Sequence, residues 1–108
     1  MAQNQAAYLD KTGSPLRVAS APMPEPEAND LVIRNGSIAI NPVDWKIQDL
    51  GFYVQNWPVV LGSDVAGEVV SVGSEVKDFK KGDRVAACVS PRLQLMKEYD
   101  LRFSCVLI

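Results

Sequence analysis

Residues 41–51 read NPVDWKIQDLG, and this run carries the clearest local signal in the chain. Asn41 is a favourable N-cap residue, Pro42 suits the first helical position, and Gly51 is a typical helix stop. Three apolar residues recur at the spacing of one helix face, namely Val43, Ile47 and Leu50. The run therefore predicts a short helix over residues 42–50.

The segments on either side of this helix read as strands. Their β-branched content and bounding turn residues predict strands at residues 5–9, 16–19, 31–40, 64–72 and 84–89. Gly36 lies inside the third strand and predicts a bulge or bend. Residues 77–84 carry four bases and two acids and predict a charged turn with Phe79 directed inward. The expected fold class is mostly β with a short helix, in a partial β-barrel domain.

Length and charge exclude several function classes. The chain has 108 residues, which suits one domain, and its 11 Lys and Arg against 13 Asp and Glu give a net charge of −2. Nucleic-acid binding through phosphate neutralisation is therefore not expected. No apolar run is long enough to span a membrane, and the first residues lack the basic and apolar regions of a signal peptide. The expected location is cytoplasmic.

The residues that the chain lacks narrow the chemistry further. It contains no His, so neither a His-dependent nucleophile nor a His-ligated metal site can be built from it. Its two cysteines, Cys88 and Cys105, are too few for a four-Cys zinc site; they could form one disulfide, although free thiols are expected in a cytosolic protein. No G-x-G-x-x-G or Walker A motif is present, so the chain carries no recognisable phosphate-binding loop.

Several runs together match one known pattern. They are NPVDWK at residues 41–46, PVVLGSDVAGEV at residues 58–69, VGSEV at residues 72–76, Phe79, and KGDRV at residues 81–85. The set resembles the N-terminal GroES-like domain of the medium-chain dehydrogenase/reductase family, on its zinc-free, quinone-reductase-like branch. The form NPVDWK looks closest to the trans-acting enoyl reductases that serve polyketide synthases. The resemblance implies an NADPH-dependent oxidoreductase of secondary metabolism that acts on small-molecule or acyl-thioester substrates.

Two departures from the zinc-dependent branch imply that no metal is bound. In those alcohol dehydrogenases a Cys ligand stands where this sequence has Asn41, and a Gly-His-Glu segment stands where it has Gly62-Ser63-Asp64. Asn and Ser are poor zinc ligands compared with thiolate and imidazole. Without a Lewis acid, reduction of an activated C=C is favoured over oxidation of an alcohol.

The resemblance also suggests cofactor-binding residues, namely Val43, Asp44, Trp45 and Lys46. The first-turn N–H groups favour polar or anionic oxygens, and Trp45 offers a flat wall beside a nicotinamide or acyl chain. Lys46 could hold a ribose hydroxyl or the substrate carbonyl. Structural alternatives remain for each: Asp44 as a helix-start acid, Trp45 as core packing, Lys46 as surface charge. Asp64 could equally hold its loop together. No catalytic residue is predicted.

The predicted domain organisation has two parts. Residues 1–89 form the partial GroES-like domain, and residues 90–108 form a divergent tail in which we recognise no family pattern. Cys105–Ile108 fits the C-a-a-X prenylation pattern, but the tail has no polybasic stretch and one lipid binds membranes only marginally, so no membrane anchoring is expected.

Two functions therefore stay open. In the family, NADPH is bound by a following Rossmann domain, which these residues lack, so we expect this chain alone to be inactive and to bind NADPH only weakly. The first function is the cleft-forming part of an enoyl-reductase-like oxidoreductase. The second is a non-enzymatic truncated remnant or partner-docking module, because unpaired strand edges recruit partners.

Overall fold

The computed structural model describes residues 4–88, which form six strands and one helix. In chain order the elements are β1 Asn4–Leu9, β2 Leu16–Ala21, β3 Leu31–Ile38, α1 Pro42–Leu50, β4 Val59–Val60, β5 Asp64–Val72 and β6 Arg84–Cys88. The strands make two antiparallel sheets, ordered β2-β1-β4 and β3-β5-β6. Over the described residues the two sheets are not closed into a barrel. The predicted mostly-β class with one short helix is confirmed.

Helix α1 has the predicted bounds, and both of its ends are fixed as the sequence indicates. Pro42 occupies the first turn, Asn41 is the N-cap, and Gly51 adopts the left-handed conformation with φ 69°. The Gly51 N–H donates to the Ile47 carbonyl at 2.8 Å and closes the last turn. Ile47 is buried and Val43 packs beside it, but Leu50, the third residue of the predicted apolar face, is 55% exposed, so the face meets the core only in part.

Each sheet has its own buried hydrophobic cluster. The first cluster is Leu9, Ile47 and Val59, with Val43, Val54 and Leu61 packed against it. The second is Leu31, Ile33, Val65 and Val69, with Phe79 among the partly buried side chains against it. The inward direction predicted for Phe79 is thus correct. Helix α1 packs on the first cluster, beside the junction of the two sheets.

The ends of β2 and β3 differ from the sequence prediction, each for a non-local reason. β2 continues to Ala21 because β1 begins at Asn4 and those two residues pair. β3 ends at Ile38 rather than Ile40, because the chain turns there toward the helix and leaves Ile40 90% exposed. The predicted last strand is observed as Arg84–Cys88, and Val89 lies outside the described residues.

The predicted bulge lies where Gly36 interrupts β3. The register against β5 shifts between Asn35 and Ser37, so one residue of β3 has no partner. Gly67 faces this region from β5 at a very close backbone approach: a Cβ there would collide with the Arg34 carbonyl oxygen. The bend carries the end of β3 toward the start of α1, beside the candidate site.

Candidate functional site

A groove of about 280 Å³ opens where the end of β3, the first turns of α1 and the start of β5 meet. Its walls are mostly apolar, with Leu16, Ile38, Ile40, Trp45 and Leu61 among the side chains that line it. Its polar lining consists of Asp44, Gln48, Ser63 and Asp64. An apolar groove with a few convergent polar groups is the usual form of a small-molecule site.

Asn41 connects the two carboxylates of the groove. Its backbone N–H donates to Asp44 Oδ2 at 2.8 Å, and its side-chain Nδ2 donates to Asp64 Oδ2 at 2.9 Å. The first bond belongs to the helix cap, whereas the second joins α1 to the start of β5. One residue therefore holds both acids at the same wall of the groove.

The structure brings only some of the predicted cofactor residues together. Asp44 and Trp45 line the groove, and Trp45 is 53% exposed, so the core-packing alternative for Trp45 is wrong. The helix-start alternative for Asp44 is supported by its bond to Asn41, which leaves its other carboxylate oxygen for a ligand. Val43 packs against the first core cluster instead and does not line the groove.

Lys46 is exposed and lies outside the lining of the groove. Its ammonium is 5.8 Å from the centre of the Trp45 ring, within cation–π range. The position of Lys46 therefore agrees with the alternative that it is a surface charge. A long flexible stem nevertheless allows the ammonium to reach past Trp45 toward an occupant of the groove.

Ser63 and Asp64 are the groove residues that the sequence placed least well. The side chain of Asp64 accepts from Asn41, while its backbone carbonyl accepts from the Ala39 N–H at 3.1 Å. Ser63 is only 8% exposed and lines the groove next to Asp64. Both lie in Gly62-Ser63-Asp64, the segment that stands where the zinc-dependent branch has Gly-His-Glu. That difference was the feature of the sequence that could have identified them.

Cys88 stands opposite Asp64 in the β5–β6 pairing and is a free, exposed thiol. A hydrogen bond to Asp64, partial burial and the negative charge of that carboxylate together raise the pKa of the Cys88 thiol above its ordinary value. The thiol is therefore a weak nucleophile at neutral pH.

Gln48 joins helix α1 to the turn between β1 and β2, on the side of the groove that Leu16 lines. Its Nε2 donates to the Ser14 carbonyl at 2.9 Å, and its own backbone carbonyl accepts from the Gly13 N–H at 2.6 Å. These bonds attach the turn between β1 and β2 to helix α1. Leu16, which lines the groove just after that turn, is positioned by them.

The hydrogen-bonding groups that line the groove determine which ligands it can bind. Asp44 and Asp64 are acceptors, and Gln48 keeps its amide oxygen and its second amide hydrogen. A wall with two carboxylates disfavours phosphate but accepts hydrogen bonds from ribose hydroxyls or a carboxamide. The polar wall of the groove is therefore better suited to neutral hydrogen-bond donors than to a phosphate. Within residues 4–88, no group of three or more His, Cys, Asp or Glu side chains is placed to hold a metal ion.

Comparison with known proteins identifies the family. The family model of the alcohol dehydrogenase GroES-like domain matches residues 27–102. The dehydrogenase orsE of Emericella nidulans is 51% identical over 85 residues, which cover 79% of this chain and 24% of that protein. The trans-enoyl reductase tndF of Aspergillus flavipes is 43% identical over 90 residues, covering 82% of this chain and 26% of tndF.

Solved structures agree with the sequence relatives. Escherichia coli quinone oxidoreductase, determined in complex with NADPH, superposes with a TM-score of 0.76 at 31% identity, covering 81% of this chain and 27% of that one. The quinone oxidoreductase of Coxiella burnetii gives a TM-score of 0.75 at 31% identity, covering 83% of this chain and 31% of that one.

The fold is that of the GroES-like N-terminal domain found in alcohol dehydrogenases and quinone oxidoreductases. The chain belongs to the medium-chain dehydrogenase/reductase family, with relatives among its quinone oxidoreductases and trans-enoyl reductases, and it represents the alcohol dehydrogenase GroES-like domain. The resemblance stated from the sequence is confirmed. The match runs to residue 102 and so enters the segment in which we recognised no family pattern; the boundary at residue 89 stays a prediction. None of the described helices is long and apolar enough to cross a membrane.

Proposed function

We propose that this chain forms the cofactor-facing wall of an NADPH-dependent, zinc-independent oxidoreductase that reduces an activated C=C. The observation that carries the proposal is the groove beside Trp45, with Asp44 and Asp64 held at its wall by Asn41. When bound, a reduced nicotinamide supplies a hydride to the β-carbon of an α,β-unsaturated carbonyl compound, whose α-carbon then takes a proton from solvent. The expected substrates are acyl thioesters or ketones of secondary metabolism, in the cytoplasm.

We assign a role in the proposed function to five residues in or beside the groove. Trp45 provides a flat apolar surface against which a nicotinamide ring or an acyl chain can pack. Asp44 and Asp64 accept hydrogen bonds from ribose hydroxyls or the carboxamide, and Asn41 keeps them in place. Lys46 supplies a mobile cation that reaches over Trp45 toward a ribose hydroxyl or the substrate carbonyl.

Zinc independence is supported by the way Asn41 and Ser63 are used. The Asn41 side chain donates an Nδ2 hydrogen to Asp64, and a neutral amide, whose nitrogen lone pair is delocalised, is a poor zinc ligand compared with a thiolate. Ser63 offers a neutral hydroxyl, which is a weak zinc ligand. The proposed reaction requires no Lewis acid, because conjugation already activates the C=C.

The chain spans about a quarter of the length of the curated relatives it matches, so the activity of a whole enzyme is a proposal. The proposed reaction needs a nucleotide-binding domain in addition to this groove. We therefore expect the purified 108-residue chain to consume no NADPH with an unsaturated thioester or a quinone.

A chimera tests the proposal. Residues 1–88 of this chain replace the matching segment of the tndF trans-enoyl reductase, and NADPH consumption is followed with an α,β-unsaturated acyl thioester in the presence of a metal chelator. We expect turnover by the chimera, and a loss of about tenfold or more in a folded Lys46→Ala chimera. Turnover by the isolated 108-residue chain, or a chimera that is folded but works only with added zinc, would contradict the proposal.

A partner-docking role is the second candidate, and one observation favours it. Large apolar side chains are exposed on the described residues, including Ile40 at 90%, Val18 at 67% and Tyr53 at 65%. Such surface favours association with other protein surfaces. A reversible, concentration-independent melt of a monomer would count against this role.

A further inference from the structure

The turn between β1 and β2 contains a serine that is followed by a proline and, three positions on, by a base. Residues 14–17 read Ser-Pro-Leu-Arg. The residues on either side of Ser14 are exposed, and Ser14 itself is partly buried. The chain has one other Ser-Pro pair, which begins at Ser90, lies outside the described residues and has Leu93 in place of the base.

The Ser14 hydroxyl is bonded, within the described part of the chain, to Lys11 alone. Its Oγ donates to the Lys11 carbonyl at 2.9 Å and accepts from the Lys11 N–H at 3.4 Å, and both bonds are exposed. Water can replace exposed hydrogen bonds with little change in free energy. The oxygen is therefore accessible to an enzyme that approaches from solvent.

The residues after Ser14 are already extended and lie at the edge of a sheet. β2 begins at Leu16 and, among the described strands, pairs with β1 on one side only. Pro15, just before it, has no backbone N–H. An extended segment at a sheet edge can be bound by a second protein through its unpaired backbone groups.

The turn also carries a positive charge that would stabilise a phosphoryl group. Arg17 donates to Asp10 at 2.8 Å, so these two charges compensate each other. Lys11 forms no ion pair with any described residue, so its charge is uncompensated. Because the Lys11 N–H already donates to Ser14 Oγ, a phosphoryl group on that oxygen would lie beside both the N–H and the charge of Lys11.

We propose that Ser14 is a phosphorylation site for a proline-directed serine/threonine kinase that also recognises Arg17. The kinase transfers the γ-phosphoryl group of ATP to Ser14 Oγ. The bond from the γ-phosphorus to its bridging oxygen breaks, a bond from that phosphorus to Oγ forms, ADP leaves, and the hydroxyl proton passes to a base of the kinase.

Pro15 and Arg17 supply the specificity of this site. A kinase pocket that offers no acceptor after the serine takes Pro15, because any other residue there would leave its N–H unsatisfied. Arg17 supplies a cation for an acidic pocket of the kinase. Its ion pair with Asp10 is exposed on both sides, and such pairs are weak enough to exchange partners.

Phosphorylation of Ser14 would act on the groove from outside its lining. The Ser14 carbonyl accepts from Gln48 Nε2 at 2.9 Å, and both Gln48 and Leu16 line the groove. The modification removes the hydroxyl hydrogen that binds the Lys11 carbonyl and places negative charge beside that oxygen. We therefore expect the turn to move, with NMR chemical-shift changes at Gln48 and Leu16.

Phosphorylation of the full chain in vitro tests the proposal. A Ser90→Ala version, which lacks the other Ser-Pro pair, is incubated with ATP, Mg²⁺ and a cyclin-dependent kinase that is active on a Ser-Pro-x-Lys peptide. Mass spectrometry then counts and locates the phosphoryl groups. We expect one group, on Ser14, and none after Ser14→Ala.

Ser74 is the internal control for this experiment. It is an exposed turn serine with a base three positions on, but Glu75 stands where Ser14 has its proline. We expect Ser74 to stay unmodified.

Substitutions separate the two parts of the recognition. Pro15→Ala should abolish phosphorylation of Ser14. Arg17→Gln should slow it about tenfold or more, and Arg17→Lys should restore most of the rate. Amide NMR spectra that are unchanged outside residues 10–18 show that the variants are folded.

Each outcome decides the proposal. An unmodified Ser14, equal rates in the parent and in Pro15→Ala, or equal modification of Ser14 and Ser74 would contradict the kinase site while leaving the proposed function intact. Phosphorylation of Ser14 without a shift change at Gln48 would contradict the effect on the groove. Modification of Ser14 alone, dependent on Pro15 and accompanied by the shift at Gln48, would establish both.

Discussion

The side-chain amide of Asn41 donates to Asp64 Oδ2 at 2.9 Å, and this bond joins the N-terminus of helix α1 to the first residue of β5. The two residues are 23 positions apart in sequence and belong to different structural elements. Because Asn41 also donates its backbone N–H to Asp44, the same residue caps the helix and builds the wall of the groove. Asn41 therefore serves both the helix cap, through its backbone, and the groove, through its side chain.

Asn41→Asp tests this link, because Asn and Asp are equally good N-cap residues. The substitution keeps the cap but replaces the donor to Asp64 with a second carboxylate. We expect a loss of about 1–2 kcal/mol in the free energy of unfolding, measured by urea denaturation. Asn29→Asp, at an exposed turn position, is the control. An Asn41→Asp protein as stable as the parent would show that the link contributes nothing.

Gly67 and Gly36 face each other's strands but differ in the space around them. A Cβ at Gly67 would collide with the Arg34 carbonyl oxygen, whereas one at Gly36 would lie 3.6 Å from the Ala66 carbonyl oxygen. Gly67→Ala should therefore destabilise the protein by about 2–4 kcal/mol, and Gly36→Ala by less than about 1 kcal/mol. Thermal or urea unfolding of the pair measures the difference; similar values for both would contradict the close approach of β3 and β5.

The alkylation rate of the Cys88 thiol should depend on the negative charge of Asp64. Because Asp64 raises the pKa of Cys88, the thiolate fraction at pH 8 is low and alkylation by iodoacetamide is slow. Asp64→Asn, in a Cys105→Ser background, should speed this alkylation several-fold. Asp49→Asn should leave the rate unchanged. A rate that is insensitive to Asp64→Asn would mean that the two groups do not interact.

Asp10 should titrate at lower pH than an ordinary aspartate. Arg17 donates to both of its oxygens at 2.8 Å, and these bonds, with the guanidinium charge, lower the pKa of Asp10. A carboxyl with a lowered folded-state pKa stabilises the fold above its unfolded value of about 3.9. That contribution is lost as the pH falls through the folded-state pKa.

Carboxyl-detected NMR measures this midpoint. Arg17→Gln should return the Asp10 midpoint toward about 3.9. Asp83 serves as an internal control, because its pKa is lowered by hydrogen bonds from Lys80 and not by Arg17. A midpoint for Asp10 that does not move in Arg17→Gln would contradict the ion pair.

Local features of the fold followed from the sequence, and non-local ones did not. The bounds of α1 depend on Asn41, Pro42 and Gly51, which act within one turn of the chain, so they were predictable. The strand Val59–Val60 was not predicted separately, because two residues have no periodicity and its existence depends on pairing with β1. The end of β3 at Ile38 depends likewise on the backbone bond from Ala39 to Asp64.

The groove also has some features that local sequence patterns predict and others that depend on non-local contacts. Helical spacing places Val43 and Ile47 on one face, so the core position of Val43 follows from the sequence. The role of Val43 as a cofactor contact was suggested only by the family resemblance. Trp45 lies off that face, which agrees with its exposure at the groove. The meeting of Asp44 with Asp64 and Ser63 requires β5 to lie beside the helix start, which no local pattern encodes.

The most direct test of the central claim is a crystal structure of the tndF chimera containing residues 1–88 of this chain, grown with oxidised NADP. We expect the nicotinamide ring to lie in the groove against Trp45, with the carboxylates of Asp44 and Asp64 at its polar edge and no metal ion at Asn41 or Ser63. A cofactor bound with its nicotinamide outside this groove, or a zinc ion between Asn41 and Ser63, would contradict it.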